Sequence, residues 1–114
     1  MKNGDMRLVI LESPYAGEVE KNVEYAKLCL HDCLLRWEAP IASHLLFTQP
    51  GILDDSKPGE RMRGIEAGLA WYRVAEGCVV YQDRGISKGM DLGITVARQL
   101  GLSIEYRNLV GYQT

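Results

Sequence analysis

Long apolar runs are missing from this chain. The longest cover only a handful of residues, against the ~20 that a helix needs to cross a bilayer. The stretch from Met1 to Arg7 is polar and has no apolar region of the secretory type. An excess of basic residues is missing too: 13 Lys and Arg stand against 15 Asp and Glu, a formal net charge of −2. Without a basic run, neither a nucleic-acid backbone nor an anionic membrane surface has a footprint here. Cysteines are few and odd in number, Cys29, Cys33 and Cys78, which argues for reduced thiols rather than a disulfide framework. Cys29 and Cys33 are one helical turn apart, but His31 between them faces elsewhere, so no zinc cage is expected. These absences predict a cytoplasmic protein with neither membrane nor nucleic acid among its partners, and with no metal or cofactor.

Several phosphate and hydrolase signatures are absent as well. No glycine-rich loop ends in Gly-Lys-Ser, no Gly-x-Gly-x-x-Gly follows the first apolar run, and Gly-x-Ser-x-Gly does not occur.

What is present reads as one globular domain over residues 1–114, 46% hydrophobic and 25% charged. Strand and helix signals alternate. Arg7 to Leu11 is a continuous apolar run, of the kind found in strands covered on both faces. From Val19 to Trp37, apolar residues at Val19, Val23, Ala26, Leu30, Cys33, Leu34 and Trp37 recur in steps of three and four, a helical stripe. Ala39 to Ser43 reads as a short strand and His44 to Lys57 as a long loop, unusual enough in a compact domain to suggest function. Pro58 suits the first position of a helix running to Arg73. Cys78 to Tyr81 is a third strand. Ser87 is a natural N-cap for a helix from Lys88 to Leu100, closed by Gly101, and Ser103 to Tyr106 is the last strand. The series β-α-β-α-β-α-β predicts an α/β, Rossmann-like, three-layer domain with a parallel sheet of four or five strands in the order 2-1-3-4. Three helices cover such a sheet incompletely, which predicts a homodimer or higher homo-oligomer.

Open parallel sheets bind ligands beyond the carboxyl ends of their strands, so three loops are candidates. The first supplies Ser13, Pro14, Tyr15 and Gly17, a hydroxyl and a ring suited to a ribose or a base. The second supplies His44, Phe47, Asp54 and Asp55, with Arg61 just beyond. In the third, Ser87, Gly89 and Met90 open a helix whose free amides and positive dipole end favour an anion. Lys88 adds charge, and Gly89 lets a phosphate approach the backbone.

The segments Ser13-Pro14-Tyr15-Ala16-Gly17, Pro40 to Phe47, Leu53-Asp54-Asp55, Glu60-Arg61 and Gly85-Ile86-Ser87-Lys88-Gly89-Met90 resemble, in order, a family of small uncharacterised bacterial and phage proteins. That family is similar in turn to the nucleoside 2-deoxyribosyltransferase superfamily. The resemblance implies a Rossmann-like, often oligomeric domain acting at the N-glycosidic bond of deoxynucleosides or nucleotides. It also implies that Ser87 and Gly89 hold a 5′-phosphate while Tyr15 and His44 line the pocket. Six residues after Ser87, where those enzymes carry a nucleophilic glutamate, this chain has Gly93. Two readings follow. One is a protein that binds a nucleotide-type small molecule without cleaving it, such as a phage sponge for a cyclic nucleotide immune signal. The other is an N-glycosidase or deoxyribosyltransferase with a relocated carboxylate, for which Asp83, Glu66 and Asp54 are candidates. An oligomeric scaffold without a small ligand is a third, plainer option.

Overall fold

A computed structural model describes residues 5–113. Residues 1–4 and Thr114, the extreme ends of the domain read above, lie outside the described residues. Four strands, β1 (Arg7–Glu12), β2 (Glu38–Ile41), β3 (Gly77–Tyr81) and β4 (Ser103–Arg107), form one sheet in the order β2-β1-β3-β4. All three pairings are parallel, with Val9 beside both Pro40 and Gly77 and Cys78 beside Ile104. The order reverses between β1 and β3, and the crevice beyond that point is where such sheets place ligands.

The helices are α1 (Val19–Leu35), α2 (Ser43–Leu46), α3 (Pro58–Ala70) and α4 (Lys88–Gln99). They make two cores, one on each face of the sheet. On one face Tyr25, Cys29 and Cys33 of α1 pack over Val9, Leu11, Val79 and Tyr81. On the other, Met90, Ile94 and Ala97 of α4, with Tyr72, pack over Ile10, Cys78 and Val80. Alternate residues of β1 and β3 thus enter opposite cores, which is why both strands read as unbroken apolar runs. All three cysteines are free and buried. No helix among the described residues is long and apolar enough to cross a membrane.

Several boundaries differ from those expected. The first helix stops at Leu35 rather than Trp37, because Trp37 adopts a left-handed φ of 61° that no helix continues through. The second strand is Glu38–Ile41, and Ser43 already belongs to α2 inside the expected loop. The Ala42 carbonyl accepts from the amides of Leu45 and Leu46, and Thr48 Oγ1 donates to the His44 carbonyl at 2.6 Å, closing that short helix. The third helix ends at Ala70, and Trp71–Arg73 tighten into a 3₁₀ turn. β1 runs one residue further than its apolar run, to Glu12. Gly101 ends α4 as expected, at φ 75°, with its amide on the Arg98 carbonyl.

Candidate functional site

The end of β1 and the start of α2, which follows β2, open onto a cavity of about 420 Å³, lined also by α3 and by the amino end of α4, which follows β3. Of the sequence candidates, Ser13 and Tyr15 from the first loop, His44, Phe47 and Asp55 from the second, Arg61 from α3, and Ser87, Gly89 and Met90 from α4 all line it. Pro14, Gly17 and Asp54 do not. Pro14 is buried beside the site and Gly17 is exposed before α1. Asp54 is exposed, and its Oδ1 accepts from the amide and hydroxyl of Ser56, holding the turn into α3.

The relocated carboxylates proposed from sequence also lie elsewhere. Asp83 Oδ2 accepts the Tyr25 hydroxyl at 2.5 Å, and both Asp83 oxygens face the Leu109 amide at 3.0–3.1 Å. Asp83 therefore ties the end of β3 to α1 and the carboxyl-terminal segment, outside the cavity lining. Glu66 is exposed on α3 and does not line the cavity either.

At the start of α4, Ser87 is the N-cap. Its Oγ accepts from the Met90 amide at 3.2 Å, and Met90 Sδ returns a contact to the Ser87 amide at 3.4 Å. That leaves the Ser87 O–H proton and the amides of Lys88 and Gly89 outside the helical hydrogen-bond ladder. A Cβ added at Gly89 would meet only Ser87 Oγ, at 3.9 Å, so the helix end is open on the cavity side. Lys88 and Arg61 bring positive charge to the same cavity, while Asp55, which holds Arg61 at 3.0 Å, and Glu60 partly offset it.

The opposite wall is neutral and hydrogen-bonding. Ser13 Oγ lies 2.7 Å from His44 Nε2. Ser13 is 4% exposed, and crowding by the surrounding protein lowers the His44 imidazole pKa from 6.5 to about 4, which keeps the ring neutral near pH 7. Beside this pair stands a residue outside the sequence candidates. Glu12, 7% exposed, ends β1 inside the cavity lining and accepts a hydrogen bond from the Tyr72 hydroxyl. Among the described residues no cation pairs with it. Burial raises its carboxyl from 4.5 to about 8, so it is a neutral acid near pH 7. The space it occupies exists because position 93 is glycine: a Cβ there would overlap the Glu12 carboxyl and the Tyr72 hydroxyl.

A sequence signal for Glu12 did exist. It is an acidic residue directly after a strand-like apolar run, at the edge where ligands bind, and a mid-helix glycine elsewhere in the chain signals close packing. Neither clue says that the two meet.

A family model matches residues 7–107. The chain belongs to DUF7768, a domain of unknown function. No curated protein matches this DUF7768 chain. The matched span runs from the first residue of β1 to the last of β4, so the family unit is the whole sheet with its helices and the cavity between them.

Proposed function

We propose that this DUF7768 domain holds a nucleotide-type ligand, with its phosphate on the amino end of α4 and its sugar and base across the cavity toward Tyr15, His44 and Glu12. The observation that carries this reading is convergence. Elements far apart in sequence contribute an open helix amino end, two cations and a neutral hydrogen-bonding wall to one cavity of about 420 Å³. Helix amino ends and nearby Arg or Lys favour phosphate, while a largely apolar cavity with a few polar groups suits a base and sugar. The sequence resemblance to nucleoside 2-deoxyribosyltransferases supports the same ligand class. Retention without cleavage fits Gly93, which has no side chain to attack an anomeric carbon. A cyclic nucleotide signal held in this way would be sequestered, in the manner of a phage anti-defence sponge. Incubation with deoxynucleoside monophosphates, followed by heat release and chromatography, tests the reading. Intact nucleotide recovered from the protein supports it, and no nucleotide recovered contradicts it.

Glu12 favours a second reading, cleavage of the N-glycosidic bond by a relocated carboxyl. Its carboxyl fills the space that a side chain at position 93 would enter, and as a neutral acid it would hand its proton to the departing base while a water adds to the anomeric carbon and returns a proton to the carboxylate left behind. Free base released by the wild type and not by Glu12→Gln would establish this reading over retention.

We also propose self-association. Leu28, Leu35 and Trp37 are 50%, 73% and 50% exposed at the outer face and end of α1, and β2 and β4 are the edge strands of the sheet, with no further strand paired to them among the described residues. Light scattering on the purified protein tests it; a monomer at all concentrations contradicts it.

A further inference from the structure

Glu12 is an unusual wall for a cavity whose other end attracts anions. Its side chain meets Tyr72 of the 3₁₀ turn and fills the space over Gly93 of α4, and Cys78 of β3 is near enough to feel its charge. None of these is a cation, and an ionised carboxyl buried without a partner is costly. Tyr72 donates to Glu12 Oε2, which leaves Oε1 with no hydrogen-bond partner among the described residues. Along α4, Gly89 and Gly93 are four residues apart, about 6 Å at 1.5 Å per residue. That is about the span from a 5′-phosphate across the sugar to its glycosidic bond.

We infer that Glu12 is a specificity-determining residue of this cavity: as an uncharged acid it donates its O–H to an acceptor beside the glycosidic bond, purine N3 or pyrimidine O2, and once ionised it turns the ligand away. The inference rests on the nucleotide reading above and adds the atom that is recognised. Every base carries such an acceptor, so the cavity is tolerant of base identity. Ionisation reverses the contact twice over: the donor becomes an acceptor facing an acceptor, and a further negative charge enters a small cavity with the phosphate.

The test is calorimetric titration of dAMP at pH 7 and pH 9.5 into the wild type and Glu12→Gln. A Glu12 carboxyl that titrates near 8 leaves only a few per cent of the acid form at pH 9.5, so wild-type affinity falls about 30-fold across this range if only the acid binds. The titratable groups facing the cavity from the packed elements are Tyr15, Tyr72, His44, Asp55, Glu60, Lys88 and Arg61, and Cys78, outside the lining, feels the Glu12 charge. Burial pushes the Cys78 thiol up to about 12, and His44 is already neutral. Glu12→Gln keeps an N–H donor and cannot ionise, so its profile reports whatever the other groups and the phosphate contribute. A fall at least ten-fold steeper in the wild type, together with weaker wild-type binding of the 3-deaza analogue of dAMP, is the expected result. Equal profiles for the two proteins, or equal affinity for dAMP and its 3-deaza analogue, overturn the inference while leaving nucleotide binding intact. No dAMP binding at either pH overturns the nucleotide reading and this inference with it.

Discussion

The carboxyl of Glu12 stands where a side chain on Gly93 would begin; a Cβ at position 93 would come within 2.7 Å of the Glu12 carboxyl carbon. In most exposed helices a change from glycine to alanine stabilises by about 1 kcal/mol. Here the overlap with Glu12 and Tyr72 must be relieved first, at about 1–3 kcal/mol. Gly93→Ala is therefore expected to lower the thermal midpoint by several degrees. Trimming the partner restores room, so the double variant Glu12→Ala/Gly93→Ala should lose less than the sum of the singles, by more than about 0.5 kcal/mol. A rise in midpoint for Gly93→Ala contradicts the contact.

Glu12 also shapes stability against pH. Its folded carboxyl titrates near 8 and the unfolded chain near 4.5. The stabilisation of the acid form is complete below pH 4.5 and is lost as pH rises through 8, because the unfolded chain releases the proton first. Each pH unit in that window costs about 1.4 kcal/mol. Glu12→Gln removes the slope, so urea unfolding at pH 5, 6.5 and 8 should show the variant gaining steadily on the wild type, by about 3 kcal/mol in all. A constant difference between the two proteins would mean that Glu12 is ionised in the fold.

His44 acts in the opposite direction. Its folded imidazole titrates near 4 against 6.5 unfolded, so its contribution is complete above pH 6.5 and is lost as pH falls toward 4. His44→Gln retains a polar partner for Ser13 and should flatten the acid limb of the stability curve between pH 6.5 and 4. An unchanged acid limb would show that the ring is already solvated in the native state.

The sheet order was legible in the sequence because strand and helix signals alternate along it. The core face of α1 was legible only in part: Ala26 and Cys33 of the expected stripe are buried, but Val19, Leu34 and Trp37 are exposed, and Asn22, Tyr25 and Cys29 pack inward instead, because an aromatic hydroxyl, a thiol and an amide with distant partners carry that face. The loop residues Ser13, Tyr15, His44, Ser87 and Gly89 were legible as well, since the ends of parallel strands must share an edge. Glu12 was not, because its character comes from two residues distant in the chain, Tyr72 and Gly93, and from the lack of a nearby cation. Asp83 looked free in sequence for the mirror-image reason: its partners, Tyr25 and the Leu109 amide, lie 58 and 26 residues away.

Arg107 offers a separate check on the fold. It is 5% exposed and donates to both Glu38 oxygens, at 2.8 and 2.7 Å, and to the Tyr81 hydroxyl at 3.0 Å. Arg107→Met would leave the buried Glu38 carboxylate with Arg7, 3.8 Å away, as its remaining cation among the described residues. A loss of about 3–5 kcal/mol is expected, partly recovered by adding Glu38→Gln. Denaturant titration of the two variants measures it, and a loss under 1 kcal/mol would show that water reaches the pair.

The amino end of α4 is where the phosphate would sit, and Gly89→Asp probes it with little steric disturbance. A Cβ there meets nothing nearer than 3.9 Å, and a carboxylate in the first turn of a helix is favourable for folding. Calorimetry with deoxynucleoside monophosphates at pH 7 is the decisive measurement. Saturable binding by the wild type, weakened at least ten-fold in a Gly89→Asp protein of unreduced thermal midpoint, is the predicted result. Wild-type binding that Gly89→Asp leaves untouched, or no binding by the wild type, contradicts a phosphate seat at this helix.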